Sequence, residues 1–449
     1  MELDMTKGSS LKLILRFMIP ILLGNLFQQL YSVMDTVIVG RFLGVDALAA
    51  VGATGTISFL ILGFMQGLTT GFTVLTSQRF GAGDGEGMKK SVGNACVLSV
   101  GITLVMTFVS VAGMEGLLHI MQTPGNIYEM SRTYIIIICW GMGFTILYNL
   151  CASLLRAVGN SRVPLYFLVI SAALNIVLDL AFIMVIPMGV AGAALATVIS
   201  QGVSGVLCLI YIIKKAPALN ITKRHLKPDP WCIKNQLSVG IPMALQFSIT
   251  AMGIIMVQAA LNMLGSTVVA ANTVAGKVEQ FATLFYQALG AAMATFSAQN
   301  RGTGDLNRVK KGAKAAFWMD CAYGILAFAA LQAFLPQLVA LFVTGDISEV
   351  LYYVRIYITI SGVFFIPLGM IFIYRNVMQG CGYGFLPMMG GVVELVCRGV
   401  LAVAAAKLMS YVGVCWANAS AWCVTGFYSW FAYRHVMKKL ERRLEQEEK

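Results

Sequence analysis

The segment QRFGAGDGEGMKK at residues 78–90 recurs as QNRGTGDLNRVKK at residues 299–311, a shift of 221 residues. The glutamine, two glycines, the aspartate and both lysines are identical in the two copies. Further pairs follow at this shift or with small drifts: Leu43–Gly44 with Leu264–Gly265, Pro20 with Pro242, and Gly159 with Gly380. Small residues match by chance in apolar chains, but a polar loop recurring at one shift does not. The sequence therefore predicts a duplicated chain.

The chain around these loops is strongly apolar. Of its 449 residues, 58% are hydrophobic and only 12% are charged, whereas a soluble domain carries roughly a quarter charged residues. Runs without Asp, Glu, Lys or Arg at 47–78, 91–114, 133–155 and 408–433 each exceed the ~20 residues needed to cross a bilayer. A backbone in lipid must satisfy its own hydrogen bonds, and runs of this length favour helices over a barrel.

The apolar stretches predict an all-α membrane protein with twelve transmembrane helices. Spans are expected near 12–40, 46–78, 91–118, 128–155, 163–187, 189–214, 236–264, 268–298, 312–343, 350–378, 384–411 and 413–437. A polar linker at 214–235 separates a first lobe at 1–213 from a second lobe at 236–437, and a charged tail follows at 438–449. Six spans in each half predict two six-helix lobes related by a pseudo-two-fold axis along the membrane normal. Duplicated halves around a midplane site are typical of secondary transporters.

The formal net charge of +12 reflects basic residues between spans and not a basic face that would bind nucleic acid. With a cytoplasmic N-terminus, the outside loops hold only Arg41, Arg132, Arg355 and Lys407. Positive charge concentrates on the cytoplasmic side of membrane proteins. We therefore expect a multi-pass protein of the cytoplasmic membrane, in contact with the lipid bilayer, with both termini inside and no obligate protein partner.

Cysteine and histidine usage argues against a metal centre or an enzyme. Ten cysteines are scattered without a Cys-x-x-Cys pair, so neither a disulfide framework nor a cysteine-ligated metal site is predicted. The three histidines, His119, His225 and His435, lie at span ends or in the linker. We expect no catalytic residue and no cofactor.

Ionisable residues within spans are informative, because each costs a few kcal/mol or more unless it is paired or hydrated. Asp179 follows Asn175 by four residues, which places both on one face of the fifth span. Asp179 precedes the following turn by eight residues and Thr197 follows it by eight, so both lie roughly 12 Å below the outer surface. Asp35 lies at a similar depth in the first span.

These four residues are expected to form one oxygen-rich site open toward the outside. Hard oxygen ligands suit a proton or a small cation such as Na⁺, and two close carboxylates favour uptake of a proton. The alternative is that Asp35 and Asp179 are separate structural residues near helix ends. The second half has no acid at the matching positions, so cation coupling is expected mainly in the first half.

Three further acids lie within spans. Glu394 and Arg398 are spaced i, i+4 and are expected to neutralise each other. Glu279, near Lys277, either attracts a cationic substrate or forms an interfacial pair. Asp320 is expected near the cytoplasmic end of its span, in contact with water. Adaptable Met and aromatic side chains also suit varied ligands. The candidates for substrate contact are Gln246, Phe247, Met252, Glu279 and Tyr286.

Several motifs are specific when taken together. They are Ile19-Pro20, Tyr31 to Asp35, the Gln-x-x-Gly-x-Gly-Asp loops at Gln78 and Gln299, Arg156-Ala-Val-Gly159-Asn-Ser-Arg162-Val-Pro164, and Asn175-Ile-Val-Leu-Asp179. Across essentially the whole chain they resemble the bacterial multidrug and toxic compound extrusion (MATE) family. The resemblance implies two six-helix lobes and sodium- or proton-coupled efflux of organic cations. It also implies a cation site, with a Na⁺ ion as one possible occupant, at Asp35, Asn175, Asp179, Thr197 and Tyr31, and a helix hinge at Pro20.

One departure from the family concerns the seventh helix, where many members carry an acid. Here the chain offers Gln246 and no carboxylate between Asn235 and Gly276, so a cation site in the second lobe is not expected. The sequence thus predicts an antiporter that exports cationic or amphipathic molecules in exchange for H⁺ or Na⁺ by alternating access. A flippase for a lipid-linked precursor is the alternative, but such proteins line their cavity with several Arg and Lys, and here Lys277 and Arg398 are the basic residues within spans.

Overall fold

The computed structural model of the protein describes residues 3–121, 123–342 and 347–447. These residues form fourteen α-helices and no β-strand. The helices are α1 (Ser10–Leu43), α2 (Val45–Gly81), α3 (Gly85–Ile120), α4 (Gly125–Trp140), α5 (Met142–Ala157), α6 (Arg162–Leu180), α7 (Val190–Lys215), α8 (Pro230–Asn262), α9 (Ser266–Gly302), α10 (Leu306–Ala340), α11 (Ser348–Val363), α12 (Phe365–Gly380), α13 (Phe385–Lys407) and α14 (Tyr411–Glu447). A π-helical turn at Ala181–Val185 extends α6, and short 3-10 turns at Pro217–Leu219 and Lys223–Leu226 precede α8.

Two pairs of consecutive helices each form one long helix with a bend at a short break. The bend is 48° between α4 and α5 and 50° between α11 and α12. When each pair is counted as one bent helix, the described residues contain twelve long helices, the number that the sequence predicted. Eight single helices and both bent pairs are long and apolar enough to cross a membrane. The other two long helices, α9 and α14, each have 37 residues but are less apolar.

The recurring polar loop has a structural reason. Gly83 and Gly304 adopt φ angles of 70° and 80°, a conformation in which a side chain would be crowded. Asp84 and Asp305 follow them, and each carboxylate accepts a hydrogen bond of 2.8 Å from the backbone N–H three residues on. Such caps satisfy a free donor at a helix start. The residues that recur are therefore those that turn the chain and begin α3 and α10.

The loop after α5 corrects one pairing of the repeat. Gly159 has a φ of 82°, and the glycine of the second half with a matching conformation is Gly382, at 88°, rather than Gly380. Gly380 is instead the last residue of α12, where an added Cβ would lie 2.3 Å from the carbonyl oxygen of Ala294. Gly382 therefore turns the chain as Gly159 does, whereas Gly380 allows close packing of α12.

The described chain divides into two compact units that do not follow chain order completely. The first unit holds residues 3–4 and Ile19–Phe247, and the second holds Met5–Met18 and the residues from Ser248 onward. Both α1 and α8 therefore contribute to each unit. Each of these helices contains a proline, Pro20 or Pro242, near the point where it passes from one unit to the other.

The polar linker at 214–235 packs on the first unit. Asp229 forms an ion pair with Lys90 of α3, and the backbone N–H of Asp229 donates to Asn94 Oδ1 at 2.8 Å. The hydrogen bond from Lys90 is the main reason that the pKa of the Asp229 carboxyl is lowered. Gln236, just beyond the linker, donates to the backbone of α3 at 2.7 Å. The predicted lobe boundaries, which follow chain order, stay predictions.

Candidate functional site

Side chains of α1 and α6 meet inside the first unit. Asn175 and Asp179 lie on one face of α6, because residues four apart in a helix project in a similar direction. Asp179 is fully buried, and Asn175 is 1% exposed. The carboxyl groups of Asp179 of α6 and Asp35 of α1 lie within hydrogen-bonding reach of each other. Two carboxyl groups this close can share a proton, because one of them must then act as the donor.

Amide and hydroxyl groups complete the cluster. Asn175 Nδ2 donates a long hydrogen bond of 3.5 Å to Thr197 Oγ1 of α7, and the Tyr31 hydroxyl also bonds the Thr197 side chain. The structure thus brings together all five residues that the sequence singled out for cation coupling. Carboxyl, amide and hydroxyl oxygens are ligands that suit a proton or Na⁺. Their part in coupling stays a prediction.

The turn between α6 and α7 sets the depth of Asp179 and Thr197. After α6 the chain continues as the π-helical turn Ala181–Val185, an irregularity that is frequent at functional sites. Gly189, with a φ of 62°, then begins the return into α7. The equal spacings on either side of this turn predict equal depths for Asp179 and Thr197. In the structure Thr197 lies beside Asn175, about one turn before Asp179 on α6, and the π-helical turn itself was not foreseen.

Tyr134 of α4 lies near the same cluster and was missed from the sequence. It is 8% exposed and interacts electrostatically with both carboxyl groups and with Tyr31. The packing of α4 against both α2 and α7 places the ring near the cluster. The duplication held a signal, since Arg132-Thr-Tyr134 recurs as Arg355-Ile-Tyr357.

Pro20 lies inside α1, which continues through it as one helix. A proline in a helix interior removes one backbone hydrogen bond and favours a kink. Pro20 directly follows Ile19, where α1 passes into the first unit. This is a suitable place for the predicted hinge, whose action stays a prediction.

The five residues predicted to contact substrate divide between the units. Those of the first unit are Gln246 and Phe247, and those of the second are Met252, Glu279 and Tyr286. Phe247 packs edge-on against Phe59, with ring centroids 6.2 Å apart. Met252 is 54% exposed, whereas Tyr286 is fully buried among aromatic rings. Tyr286 is therefore covered by neighbouring side chains, whereas Met252 is not.

Glu279 lies in a polar cluster of the second unit. It accepts a hydrogen bond of 2.9 Å from the Tyr357 hydroxyl, which in turn accepts one of 3.4 Å from Asn418 Nδ2. Arg398 and Glu394 form the predicted pair within α13, with Nη2 and Oε1 2.5 Å apart. The prediction that these two neutralise each other is confirmed, and Glu279 is held by Tyr357 within the unit.

Asp320 does not contact water near a helix end, so that prediction is wrong. Its side chain is fully buried in the second unit, and neither carboxyl oxygen has a hydrogen-bond partner among the described residues. It packs against α12 so tightly that a Cβ on Gly369 would lie 1.8 Å from Asp320 Oδ1. Position along a span predicts depth, but only the packing of α10 on α12 decides which face is covered.

The sequence model of the MatE family matches the chain twice, at residues 20–181 and 242–404. The chain belongs to the MatE family. A double match is what a duplicated chain produces, and it confirms the resemblance to MATE transporters carried by the motifs. Membership also confirms that the protein is a membrane transporter and not an enzyme.

Relatives and solved structures extend this assignment over most of the chain. The probable multidrug resistance protein YoeA of Bacillus subtilis is 30% identical over 343 residues, which cover 75% of this chain and 74% of the relative. The probable multidrug resistance protein YpnP of the same organism is 33% identical over 307 residues, 68% of each chain. A multidrug resistance MATE family transporter of the MOP superfamily, solved in an outward-facing conformation, matches with a TM-score of 0.91 at 22% identity, over 97% of this chain and 98% of that one. The predicted fold, a multi-pass all-α membrane protein of about twelve helices, is thereby confirmed.

Proposed function

We propose that this MATE protein is a secondary antiporter that exports cationic or amphipathic small molecules in exchange for H⁺ or Na⁺. The observation that carries the proposal is the buried, adjacent pair of Asp35 and Asp179, with Asn175, Thr197 and Tyr31 beside it. Two carboxyl groups that share a proton can release it or exchange it for Na⁺, since hard oxygen ligands suit both ions. Ion binding that differs between two conformations shifts the balance between them.

In the proposed cycle, the cluster takes up an ion from the outside, the exported molecule leaves, and the protein then exposes its binding region to the cytoplasm. A membrane potential of about 100 mV supplies ~2.3 kcal/mol for each charge that crosses. This free energy sustains a roughly 50-fold concentration difference. One ion per cycle is therefore sufficient for effective export of an uncharged molecule, whereas exchange of one monovalent cation for one ion moves no net charge and draws on the concentration gradient of the ion alone.

The substrate class is supported by YoeA and YpnP, which are named as probable multidrug resistance proteins. The distribution of Lys and Arg supports a place in the cytoplasmic membrane with both termini inside. A lipid-linked precursor flippase has less support. Arg398, a basic residue within a predicted span, is paired with Glu394 and is not free to bind a pyrophosphate.

The test is transport of ethidium by vesicles in which a proton or a sodium gradient is imposed. Asp35→Asn and Asp179→Asn each remove one carboxyl group at nearly constant size, and each is expected to abolish gradient-driven transport. Asp320→Asn is the matched control, because it changes a buried aspartate outside the cluster and should transport like the wild type. Full gradient-driven activity in both cluster variants would refute the proposal. Comparison of the two gradients identifies the ion.

A further inference from the structure

The second unit repeats the helices that carry the first-unit cluster. In order along the chain, α4, α6 and α7 correspond to α11, α13 and α14. Three cluster positions have counterparts at equal distances from the first residues of these helices: Tyr134 with Tyr357, Asn175 with Arg398, and Thr197 with Asn418. Two of these counterparts still offer uncharged hydrogen-bonding groups, whereas the third replaces a neutral amide with a permanent cation.

The counterpart residues also lie together in space. The Tyr357 hydroxyl donates to Glu279 Oε2 at 2.9 Å, and Asn418 Nδ2 donates to the same hydroxyl at 3.4 Å. Glu279 comes from α9, Tyr357 from α11 and Asn418 from α14. Hydroxyl, amide and carboxylate groups thus meet here, as they do in the first unit.

Arg398 lies in the same unit, at the repeat position of Asn175, which bonds Thr197 in the first unit. Its Nη2 is 2.5 Å from Glu394 Oε1, and its charge acts on Glu279. Its Nη1 faces α8, where a Cβ on Gly253 would lie 3.0 Å from it, and α8 is the repeat counterpart of α1, which supplies Asp35. Arg398 is only 7% exposed, and its Nε has no hydrogen-bond partner among the described residues.

The two clusters differ in how their negative charge is balanced. The counterpart of Asp179 is Ala402, and α8 contains no carboxylate, so neither acid of the first cluster recurs. Glu394 instead pairs with a guanidinium whose charge also acts on Glu279. A buried cation needs opposite charge nearby, because an unpaired charge is costly to bury. The second cluster therefore carries its own cation where the first has two adjacent carboxyl groups.

We propose that the second unit contains a counterpart of the cation site in which the guanidinium of Arg398 is the resident cation, and that removal of its charge opens this site to Na⁺. The inference rests on the proposed role of the first-unit cluster as a cation site. A guanidinium is always protonated and is tethered to α13, so it cannot be exchanged for an ion from solution. Without it, Glu279, Glu394 and Asn418 present hard oxygen atoms of the kind that bind Na⁺.

Binding of radioactive Na⁺ to the purified protein, counted as ions per chain, tests the proposal. Arg398→Asn introduces the residue found at the first-unit position and is expected to bind one more Na⁺ than the wild type. Arg398→Lys keeps a resident charge and should bind the same number as the wild type. Arg398→Gln, closer to arginine in volume, repeats the test if the Asn variant does not fold. Equal Na⁺ binding by the wild type and the neutral variants would overturn the proposal.

The same Na⁺-binding measurement in a variant without the first-unit acids distinguishes failure of this inference from failure of the proposed function. In Asp35→Asn/Asp179→Asn the first-unit acids are gone, and adding Arg398→Asn should still create one Na⁺ site. Stoichiometric Na⁺ binding by Asp35→Asn/Asp179→Asn with Arg398 intact would show that the second unit binds the ion despite the guanidinium, and would also overturn the inference. Failure of the proposed function would instead be seen in the transport assay, as gradient-driven transport that is retained in Asp35→Asn and in Asp179→Asn.

Discussion

We expect Gly71→Ala to destabilise the first unit, because α2 and α8 cross there with no room for a side chain. A Cβ on Gly71 would lie 2.4 Å from the Cα and 2.7 Å from the N of Gly240. One turn earlier on α2, a Cβ on Gly67 would lie 2.7 Å from the Cα of Ala244. Small residues at this spacing allow two membrane helices to pack backbone to backbone. An added methyl group must therefore push the helices apart.

The size of the effect follows from these distances. Carbon atoms in contact lie about 3.5–4.0 Å apart, so the two backbones would have to separate by about 1 Å or more. Overpacking of this kind costs about 1–3 kcal/mol. Alanine also has a helix propensity about 1 kcal/mol better than that of glycine, which offsets part of the loss. Gly55→Ala, on the same helix at a position where a Cβ would meet nothing within 4 Å, receives the propensity gain alone. The gap in unfolding free energy between the variants should therefore equal the overpacking cost, about 1–3 kcal/mol.

Thermal unfolding of the purified variants in detergent measures this gap, and ethidium transport by vesicles measures its effect on function. Gly71→Ala should melt below the wild type and transport less. Gly55→Ala should melt at or above the wild-type temperature. If both variants melt at the same temperature, the close crossing of α2 and α8 is not present in the protein and the reasoning is refuted.

Three further predictions concern single polar groups. Tyr134→Phe removes a hydroxyl from the first-unit cluster and should weaken binding of the coupling ion by roughly 1 kcal/mol, about fivefold; an unchanged ion dependence of transport would exclude Tyr134 from the site. Asp320→Asn should keep or raise the melting temperature, because the carboxyl oxygens have no hydrogen-bond partner among the described residues. Gly369→Ala should lower the melting temperature, because its Cβ would lie 1.8 Å from Asp320 Oδ1. The opposite order of melting temperatures would contradict the packing of Asp320 on α12. Because Lys90 lowers the pKa of Asp229, the stability that this carboxylate contributes is present above the ordinary Asp pKa of about 3.9 and is lost as pH falls through the lowered value. The difference in melting temperature between the wild type and Asp229→Asn should accordingly be full at neutral pH and vanish in stronger acid, and a difference that persists there would contradict this role of the ion pair.

Much of the fold was predictable because membrane insertion restricts the possibilities. Long apolar runs in lipid must be helices, and the repeated Gly-Asp loop identified the duplication. The bends between α4 and α5 and between α11 and α12 were not predicted, since each pair reads as one apolar run. Nor did chain order reveal that Met5–Met18 belong with the second unit, because that assignment depends on contacts between residues far apart in sequence.

The candidate site shows the same division. The sequence by itself determined that Asn175 and Asp179 share a face and that Thr197 lies at their depth, because helical periodicity and rise convert spacing along the chain into direction and height. Only the tertiary structure decided that Tyr134 lies near these residues, that the Tyr357 hydroxyl bonds Glu279, and that the carboxyl group of Asp320 is covered. A side chain's direction from its own helix is a local property. Its partners depend on how neighbouring helices are rotated and packed, which is decided by all the residues in contact and cannot be read from one span.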